Sequence, residues 1–259
     1  MAVDRRGGGL EWVEEFRVHS WEADPWGRAR VPVLTNWLQE AAGNHARALG
    51  WSVEELQREG RTWMLRRLHV RLDAWPARGD RVRVVTWPSS AGPVQATRDF
   101  ELFAAGSGDR VGVATTAWVV VDMARRRPVR LPRGVREQPL PERPRALADP
   151  FRGELPAPEG EGGELRFRVR RGEIDMNLHA NQTAYVAWAV EGIPEETWRE
   201  ARLVSLEVAF LAEARFPAEI VARCAAAGRQ GGATTFLHRL AAAGDGRELA
   251  RLRTGWAVP

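Results

Sequence analysis

Cysteine is almost absent from this chain of 259 residues, in which Cys224 is the single example. A disulfide framework or a thiolate metal cage would need several cysteines, so neither is expected. The histidines show no recognisable ligand spacing and the glycine-rich stretches show no nucleotide-binding pattern, so we expect no metal and no cofactor. No apolar run approaches the ~18 residues of a membrane span. Residues 1–9 also lack the apolar core of a secretory signal. These absences predict a cytoplasmic protein that does not enter a membrane.

Lysine is missing altogether, so arginine supplies the whole count of 38 lysine and arginine residues, and the net charge is only +4. Arg125–Arg127 is the densest basic run, but it lies among prolines with no interleaved aromatic residues to stack on bases. We therefore read it as a solvated linker and expect no nucleic-acid partner. A modest positive surface would still suit an acidic partner.

A duplicated pattern runs through the sequence. Phe16-Arg17-Val18 recurs as Phe167-Arg168-Val169, and three further pairs keep the same spacing: Asp24 with Asp175, Trp37 with Trp188, and Glu40 with Glu191. Near the end of each half, residues 116–120 resemble residues 254–258. Several matches in the same order predict two copies of one module. We expect a first module over residues 1–124, a linker rich in proline, arginine and glycine over 125–163, and a second module over 164–259.

The first module has one helical and several strand-like patterns. Helical spacing of apolar residues predicts a helix over residues 34–49, with Thr35 or Asn36 as its N-cap and Gly50 as its stop. Alternating residues then predict strands over 68–72, 82–86, 97–104 and 111–121, after a first strand and a turn at 24–27. We expect the strands at 68–72 and 82–86 to form a hairpin around Gly79-Asp80. One helix with several antiparallel strands predicts an α+β module whose sheet wraps the helix.

The second module repeats this plan with a shorter helix. Residues 184–190 are apolar all round, which predicts a buried helix that ends at Gly192 and Pro194. Strands are expected over 206–211, 219–225, 234–241 and 249–258. Just before the helix, Asp175, Asn177 and His179 occupy alternate positions. In extended backbone such residues face one side, so we expect these three polar groups to point into one cavity.

The two copies differ at two of the candidate catalytic residues and agree at a third. His179 falls opposite Arg28 and Asn177 opposite Trp26, so the first copy lacks both groups. Asp175 matches Asp24, and an aspartate in this position could simply satisfy backbone donors in a turn. Glu213 is a further candidate because it interrupts an apolar strand, although a solvent-facing glutamate at a strand end would give the same pattern.

A family resemblance follows from these motifs. The D-x-N-x-H-x-N segment that begins at Asp175, followed by Tyr185 and Trp188, resembles the signature of the acyl-acyl-carrier-protein (acyl-ACP) thioesterases. The first half is similar to that family at Asn36–Glu40, Asn44-His45, Trp63–Val70, Gly79-Asp80 and Thr86-Trp87. The resemblance implies a tandem hotdog fold and hydrolysis of fatty acyl-ACP to free fatty acid and carrier, which ends fatty acid synthesis. It also implies that the first module holds the acyl chain and that Asp175, Asn177, His179 and Glu213 are catalytic.

The sequence departs from the plant family pattern after Glu213, where a cysteine is usual and this chain has Ala214. Cys224 lies too far along to be assumed as its replacement, so a cysteine nucleophile is not expected. We expect water to attack the thioester, with Glu213 or His179 as general base, Asn177 orienting the water or the histidine, and Asp175 holding the set together. Backbone amides at the start of the helix could stabilise the oxyanion. In a rival route Asp175 is itself the nucleophile and forms a mixed anhydride.

Three other functions stay open at this point. An acyl-CoA thioesterase of the same fold would use the same chemistry. A hotdog hydratase is less favoured because its motif resembles D-x-N-P-L-H, whereas this chain is one residue shorter and lacks the proline. A non-catalytic acyl-binding or regulatory protein would fit Ala214. The expected partner is an acyl carrier protein, and two modules in one chain allow either a monomer or a homodimer.

Overall fold

The computed structural model of the protein describes residues 9–160 and 162–258. Residues 1–8, residue 161 and residue 259 lie outside the described residues. The segment expected to lack a secretory signal and the outermost bounds of the expected modules fall among them. The chain forms two compact units. The first reaches to Arg66 and resumes over Asp73–Pro150, and the second comprises Arg67–Leu72 and the chain from Phe151 onward.

The elements follow the duplicated order. The strands are β1 (Trp12–Arg17), β2 (Arg61–Leu72), β3 (Arg81–Ala91), β4 (Gln95–Ala104), β5 (Arg110–Asp122), β6 (Arg127–Val129), β7 (Gly163–Arg168), β8 (Arg202–Phe210), β9 (Glu219–Gln230), β10 (Ala233–Ala242) and β11 (Glu248–Ala257). The helices are α1 (Val31–Ala48), α2 (Val53–Arg58), α3 (Arg133–Glu137), α4 (Gln182–Val190) and α5 (Glu195–Glu200). Among the described residues, none of these helices has the length and apolar character that crossing a membrane requires.

In the first unit, an antiparallel sheet with the order β1-β3-β4-β5 packs against α1. Trp37, Leu38 and Ala41 lie on the buried face of the helix. The predicted helix is confirmed, but it begins at Val31 with Arg30 as its N-cap rather than Thr35 or Asn36. Pro32 lies in the first turn, where its missing N–H costs nothing.

The predicted hairpin between the strands at 68–72 and 82–86 is wrong. Strand β3 pairs with β1 and β4, whereas β2 follows β5 in the sheet. The connection between β2 and β3 begins beside β5, where Asp73 N–H donates to Val111 O (2.9 Å), and ends beside β1, where Gly79 N–H donates to Val18 O (2.9 Å). Alternation of apolar residues identifies a strand but carries no information about its partner.

The segment expected as a linker contains ordered parts of the first unit. Strand β6 pairs with β5, and after it Leu131 (2% exposed) and Val135 (3% exposed) pack with Leu56 and Val120. These two apolar residues lie four positions apart, which is one turn of helix. The surrounding arginines and prolines obscure this short pattern in the sequence.

The same segment closes a buried polar cluster around Asp99, whose side chain is fully buried. Its carboxylate accepts hydrogen bonds from Ser89 (3.0 Å), Thr115 (2.8 Å), the Arg145 guanidinium (2.8 Å) and the Ala146 N–H (2.9 Å). A buried carboxylate is tolerated only when its oxygens are bonded in this way. Residues 145–146 are therefore held to the first unit by Asp99.

In the second unit, the strands have the order β8-β11-β10-β9-β7, and residues 67–71 of β2 pair antiparallel with β8. Helix α4 packs on β9 and β10. Its Tyr185, Val186 and Trp188 are buried, as the all-apolar pattern predicted. Each unit thus places a helix against an antiparallel sheet, which confirms the α+β tandem hotdog fold.

Two fully buried histidines lie in the cores of the units. The His45 Nε2 lies 3.2 Å from Gly9 O and its Nδ1 lies 2.9 Å from the Arg98 guanidinium, whereas His238 Nε2 lies 2.9 Å from Thr254 Oγ1. Burial lowers the pKa of both from 6.5 to about 4, and for His45 the Arg98 charge adds to this shift. Both rings are therefore neutral at pH 7.

These pKa shifts predict a loss of stability in mild acid. Between pH 6.5 and about 4 the unfolded chain binds protons that the folded protein does not, so stability is complete above pH 6.5 and falls as the pH is lowered. We expect His238→Gln to reduce this slope by up to about 1.4 kcal/mol per pH unit. Urea unfolding of wild type and variant at pH 8, 6 and 5 measures this slope. The difference in unfolding free energy between the two proteins at pH 8 is the control for packing lost in the variant. Parallel profiles would contradict the assignment.

Candidate active site

The segment Asp175–His179 forms a tight turn and not the extended strand that its alternating polar residues predicted. The Asp175 N–H donates to His179 O (2.9 Å), the Leu178 N–H donates to Asp175 O (3.0 Å), and Ile174 and Ala180 form an antiparallel bridge across the base. The expectation that alternation in extended backbone aligns the three polar groups is therefore wrong. The three residues lie in one turn instead.

The Asp175 side chain closes this turn. Its Oδ1 accepts the Asn177 N–H at 2.8 Å. Burial raises the pKa of Asp175, while hydrogen bonds from the Asn177 and His179 amides oppose that rise. Aspartate is favoured in turns because its short side chain can bond backbone donors two residues ahead.

The first unit contains the same turn. Asp24 Oδ1 accepts the N–H groups of Trp26 and Arg28, each at 2.9 Å, and Asp24 N–H donates to Arg28 O at 2.7 Å. The Arg28 side chain also forms an ion pair with Asp24. The aspartate therefore closes the same turn in a unit that lacks both the histidine and the asparagine.

One backbone position distinguishes the two turns. Leu178 has a φ of +62°, and the equivalent residue in the first unit is Gly27 with a φ of +79°. Leucine rarely adopts this left-handed region because its Cβ crowds the backbone. The Leu178 side chain is also 76% exposed, so burial does not compensate for the strain. The turn of the second unit thus keeps an unfavourable residue where glycine would fit.

The His179 side chain meets Glu213 at the centre of the site. His179 Nε2 lies 2.9 Å from Glu213 Oε2, and the side chains are 22% and 14% exposed. Arg215 completes a triangle, with Nη2 at 3.1 Å from Glu213 Oε1 and 3.0 Å from His179 Nε2. The structure therefore brings together two of the predicted residues, and Asp175 and Asn177 lie in the turn that carries His179. Arg215 was not predicted, because its contacts depend on a loop after β8 whose conformation the spacing of residues does not reveal.

Glu213 lies beyond the end of β8, which stops at Phe210, and not within the strand as the sequence suggested. Its low exposure excludes the alternative of a solvent-facing glutamate. The backbone on both sides is fixed by Tyr185, whose hydroxyl accepts the Ala214 N–H (2.7 Å) and donates to Ala212 O (3.1 Å). Burial raises the pKa of Tyr185 to about 12, so the hydroxyl keeps its proton and can fill both roles.

A second bond to this backbone comes from Arg247, whose Nη2 donates to Glu213 O at 3.3 Å. The Ala180 N–H donates to Ala214 O at 2.9 Å, which joins the Glu213 segment directly to the end of the turn. The separation of His179 and Glu213 is therefore set by backbone bonds as well as by their own contact. In the sequence Tyr185 is identified only as part of a motif, and nothing there indicates that its hydroxyl holds the Glu213 segment.

No sulfur nucleophile is placed at this site. Ala214, at the position where the plant pattern has cysteine, is buried and its amide is bonded to Tyr185. Cys224 lies in β9, and burial raises its pKa to about 12, which keeps it a thiol. Among the described residues, no group of three or more histidine, cysteine, aspartate or glutamate side chains is placed to hold a metal ion.

The start of helix α4 lies next to the turn. Asn181 is its N-cap, and its side-chain oxygen accepts the Thr183 N–H and the Thr183 hydroxyl, each at 3.0 Å. The Thr183 backbone amide in the first turn of the helix is therefore already hydrogen-bonded. Oxyanion binding by the first turn of the helix stays a prediction.

Comparison with known proteins decides the family. The acyl-ACP thioesterase N-terminal domain matches residues 9–138, and the acyl-ACP thioesterase C-terminal domain matches residues 157–258. The chain belongs to the acyl-ACP thioesterase family. It is a thioester hydrolase.

Similar proteins agree with this assignment. Oleoyl-acyl carrier protein thioesterase 1 of Arabidopsis thaliana is 30% identical over 277 residues, which cover 96% of this chain and 76% of that protein. The structure of the 12:0-ACP thioesterase from Umbellularia californica superimposes with a TM-score of 0.84 at 24% identity, over 98% of this chain and 96% of the other. An acyl-ACP thioesterase from Bacteroides thetaiotaomicron gives 0.80 at 22% identity, over 95% and 98%. The two structural likenesses show the fold.

The Tyr185 hydroxyl is predicted to hold the Glu213 segment. Tyr185→Phe keeps the ring next to Trp188 (5.3 Å between centroids) but leaves the buried Ala214 N–H and the Ala212 carbonyl without this partner. We expect a loss of about 1–3 kcal/mol in the free energy of unfolding and a lower kcat. Urea unfolding and steady-state hydrolysis measure the two effects. A variant with wild-type stability and rate would show that the hydroxyl has no such role.

The unusual backbone at Leu178 gives a paired prediction. Leu178→Gly removes strain of about 1–3 kcal/mol and adds the roughly 0.5–1 kcal/mol entropic cost of glycine, so the variant should be as stable as wild type or more so. Gly27→Leu in the first unit should lose about 1–2 kcal/mol. Thermal unfolding of both variants tests the pair. A larger loss for Leu178→Gly than for Gly27→Leu would overturn it.

Proposed function

We propose that this thioesterase cleaves fatty acyl-ACP by attack of water on the thioester, with His179 as general base and Glu213 as the group that orients it. The observation that supports the proposal is the 2.9 Å contact between His179 Nε2 and Glu213 Oε2. A carboxylate at this distance favours a proton on Nε2 and leaves Nδ1 as the basic nitrogen. The nearby Arg215 donates to the other carboxylate oxygen, Oε1, and in this tautomer its 3.0 Å approach to His179 Nε2 is a contact between two donors rather than a hydrogen bond.

The proposed reaction has two steps. In the first, water forms a C–O bond to the thioester carbonyl carbon while His179 takes one of its protons, which gives a tetrahedral oxyanion. In the second, the C–S bond breaks, the thiolate leaves with that proton from His179, and the fatty acid is released. Asn177 orients the water or the imidazole, and Asp175 holds the turn that carries both. A positioned base of this kind contributes about 10²–10⁴-fold to the rate.

The rival in which Asp175 attacks the thioester has less support. The Asp175 carboxylate accepts backbone amides of its own turn, and Asp24 does the same in the unit without the histidine. A nucleophilic Asp175 would have to give up these bonds. Single turnover in water labelled with heavy oxygen separates the routes, since label in the Asp175 carboxylate would contradict direct attack by water.

Relatives named as acyl-carrier-protein thioesterases support carrier protein rather than coenzyme A as the donor of the acyl chain. We also propose that the first unit holds the fatty chain while the second carries out the chemistry, because His179 and Glu213 both lie in the second. Turnover of one acyl chain on carrier protein and on coenzyme A compares the two donors directly.

The decisive prediction concerns His179. His179→Ala should lower kcat for acyl-ACP by about 10²–10⁴-fold because the base is lost, while the melting temperature stays close to that of wild type for a side chain that is partly exposed. Release of free fatty acid is the measurement. His19→Ala, which removes an exposed histidine of the first unit, is the control and should keep full activity.

Rescue of His179→Ala by imidazole distinguishes the two possible bases. If His179 is the base, imidazole added to His179→Ala should restore part of the rate, and Glu213→Gln should not respond to imidazole. Full activity of His179→Ala would remove the histidine from the mechanism. Absence of turnover by wild type on either carrier protein or coenzyme A would favour a non-catalytic acyl-binding protein.

A further inference from the structure

A row of exposed arginines borders the active site of the second unit. Arg166 and Arg168 lie on β7, and Arg170 and Arg171 follow it immediately. We call these four residues the arginine stripe. Strand β7 is the last in the sheet order of its unit, and its pairing with β9 leaves its other edge unpaired within the described residues. The stripe is therefore placed where another molecule could reach it.

The stripe shares a groove with Phe216, which follows Arg215 in the chain. A groove of about 460 Å³ is lined by Arg166, Phe167, Arg168, Val169, Arg170 and Phe216. Phe216 is 39% exposed and follows Arg215, which contacts both His179 and Glu213. The Arg171 guanidinium lies 4.6 Å above the Phe216 ring. A ligand that occupied this groove would contact Phe216, the neighbour in the chain of the arginine that contacts His179 and Glu213.

The fold does not require all of these charges, because the first unit has the same strand with only one of the four arginines. At the repeat spacing, Glu15, Arg17, His19 and Ser20 stand where the second unit has the four arginines. Phe16-Arg17-Val18 and Phe167-Arg168-Val169 are identical in the two copies. The second unit thus has four positive charges at positions where the first unit has one positive and one negative residue.

Local carboxylates neutralise the stripe only in part. Arg166 lies 3.4 Å from Glu164 in an exposed ion pair, and Arg168 is opposite Glu219 on β9. Exposed pairs of this kind are weak and compete poorly with a multiply charged partner. Clustered positive charge around an exposed aromatic side chain suits an acidic protein surface with an apolar patch.

We propose that the arginine stripe, with Phe216, is the surface on which the acidic face of the acyl carrier protein docks. This rests on the proposed function, since only a thioesterase of acyl-ACP would need the surface. The carrier holds its acyl chain on a phosphate-bearing arm, so a partner seated on the stripe would deliver the thioester toward His179 and Glu213. Electrostatic contacts of this type speed association and weaken with salt.

The test compares two matched double variants. Arg166→Glu/Arg168→Glu reverses the stripe, and Arg17→Glu/Arg81→Glu reverses two exposed arginines on β1 and β3 of the first unit. Each pair contains one arginine in a surface ion pair with glutamate, Arg166 with Glu164 and Arg81 with Glu15. We expect the stripe variant to lose about tenfold or more in kcat/KM on acyl-ACP, with a flatter dependence on salt, and the control to stay within about twofold of wild type.

Carrier-free substrates give the second readout. With acyl-pantetheine and acyl-phosphopantetheine, the stripe variant should match wild type, because no carrier surface is present. Equal losses on all substrates would assign the stripe to folding or catalysis and overturn the proposal. An equal loss on acyl-ACP and acyl-phosphopantetheine, with none on acyl-pantetheine, would show that the stripe binds the phosphate. That result would overturn docking of the carrier surface. No loss on acyl-ACP would also overturn it. Failure of wild type to hydrolyse acyl-ACP would instead refute the proposed function.

Discussion

The hydrogen bonds that Asp175 accepts from its own turn are the constraint on which the site depends. They close the backbone between Ile174 and Ala180 and so fix the position of His179. The Ala180 amide then bonds Ala214 O, and the Tyr185 hydroxyl bonds the backbone on both sides of Glu213. The imidazole and the carboxylate meet because two backbone segments are joined, rather than because two side chains happen to reach each other. A site held in this way loses little freedom when substrate binds.

Much of the fold could be predicted from the sequence, and the errors have identifiable physical causes. Helix and strand periods placed most elements because each buries one face. The predicted hairpin between β2 and β3 is wrong because pairing depends on tertiary packing. The turn at Asp175 was read as extended because alternate polar residues mimic a strand. The equivalent segment at Asp24 contains Pro25 and Gly27, which indicate a turn. Because the two segments are copies of one module, the same turn is expected at Asp175.

The candidate site was predicted only in part. A family resemblance placed Asp175, Asn177, His179 and Glu213 in one set, and the structure joins His179 to Glu213 directly. Arg215 and the clamp formed by Tyr185 were not foreseen, because both depend on a loop conformation that local sequence does not encode. Ala214 looked like a missing nucleophile in the sequence. In the structure its buried amide has a positioning function that any side chain small enough to fit could allow.

The two copies separate what serves the fold from what serves the chemistry. Where they agree, as at Asp24 and Asp175, the residue closes a turn that both units need. Where they differ, the exchange changes chemical function. Arg28 stands in place of His179 and forms an ion pair with Asp24. A guanidinium cannot take a proton from water, and this single exchange is enough to make the first turn inert as a general base. The same fold therefore places an imidazole beside a carboxylate in one unit and an arginine–aspartate ion pair at the equivalent turn of the other.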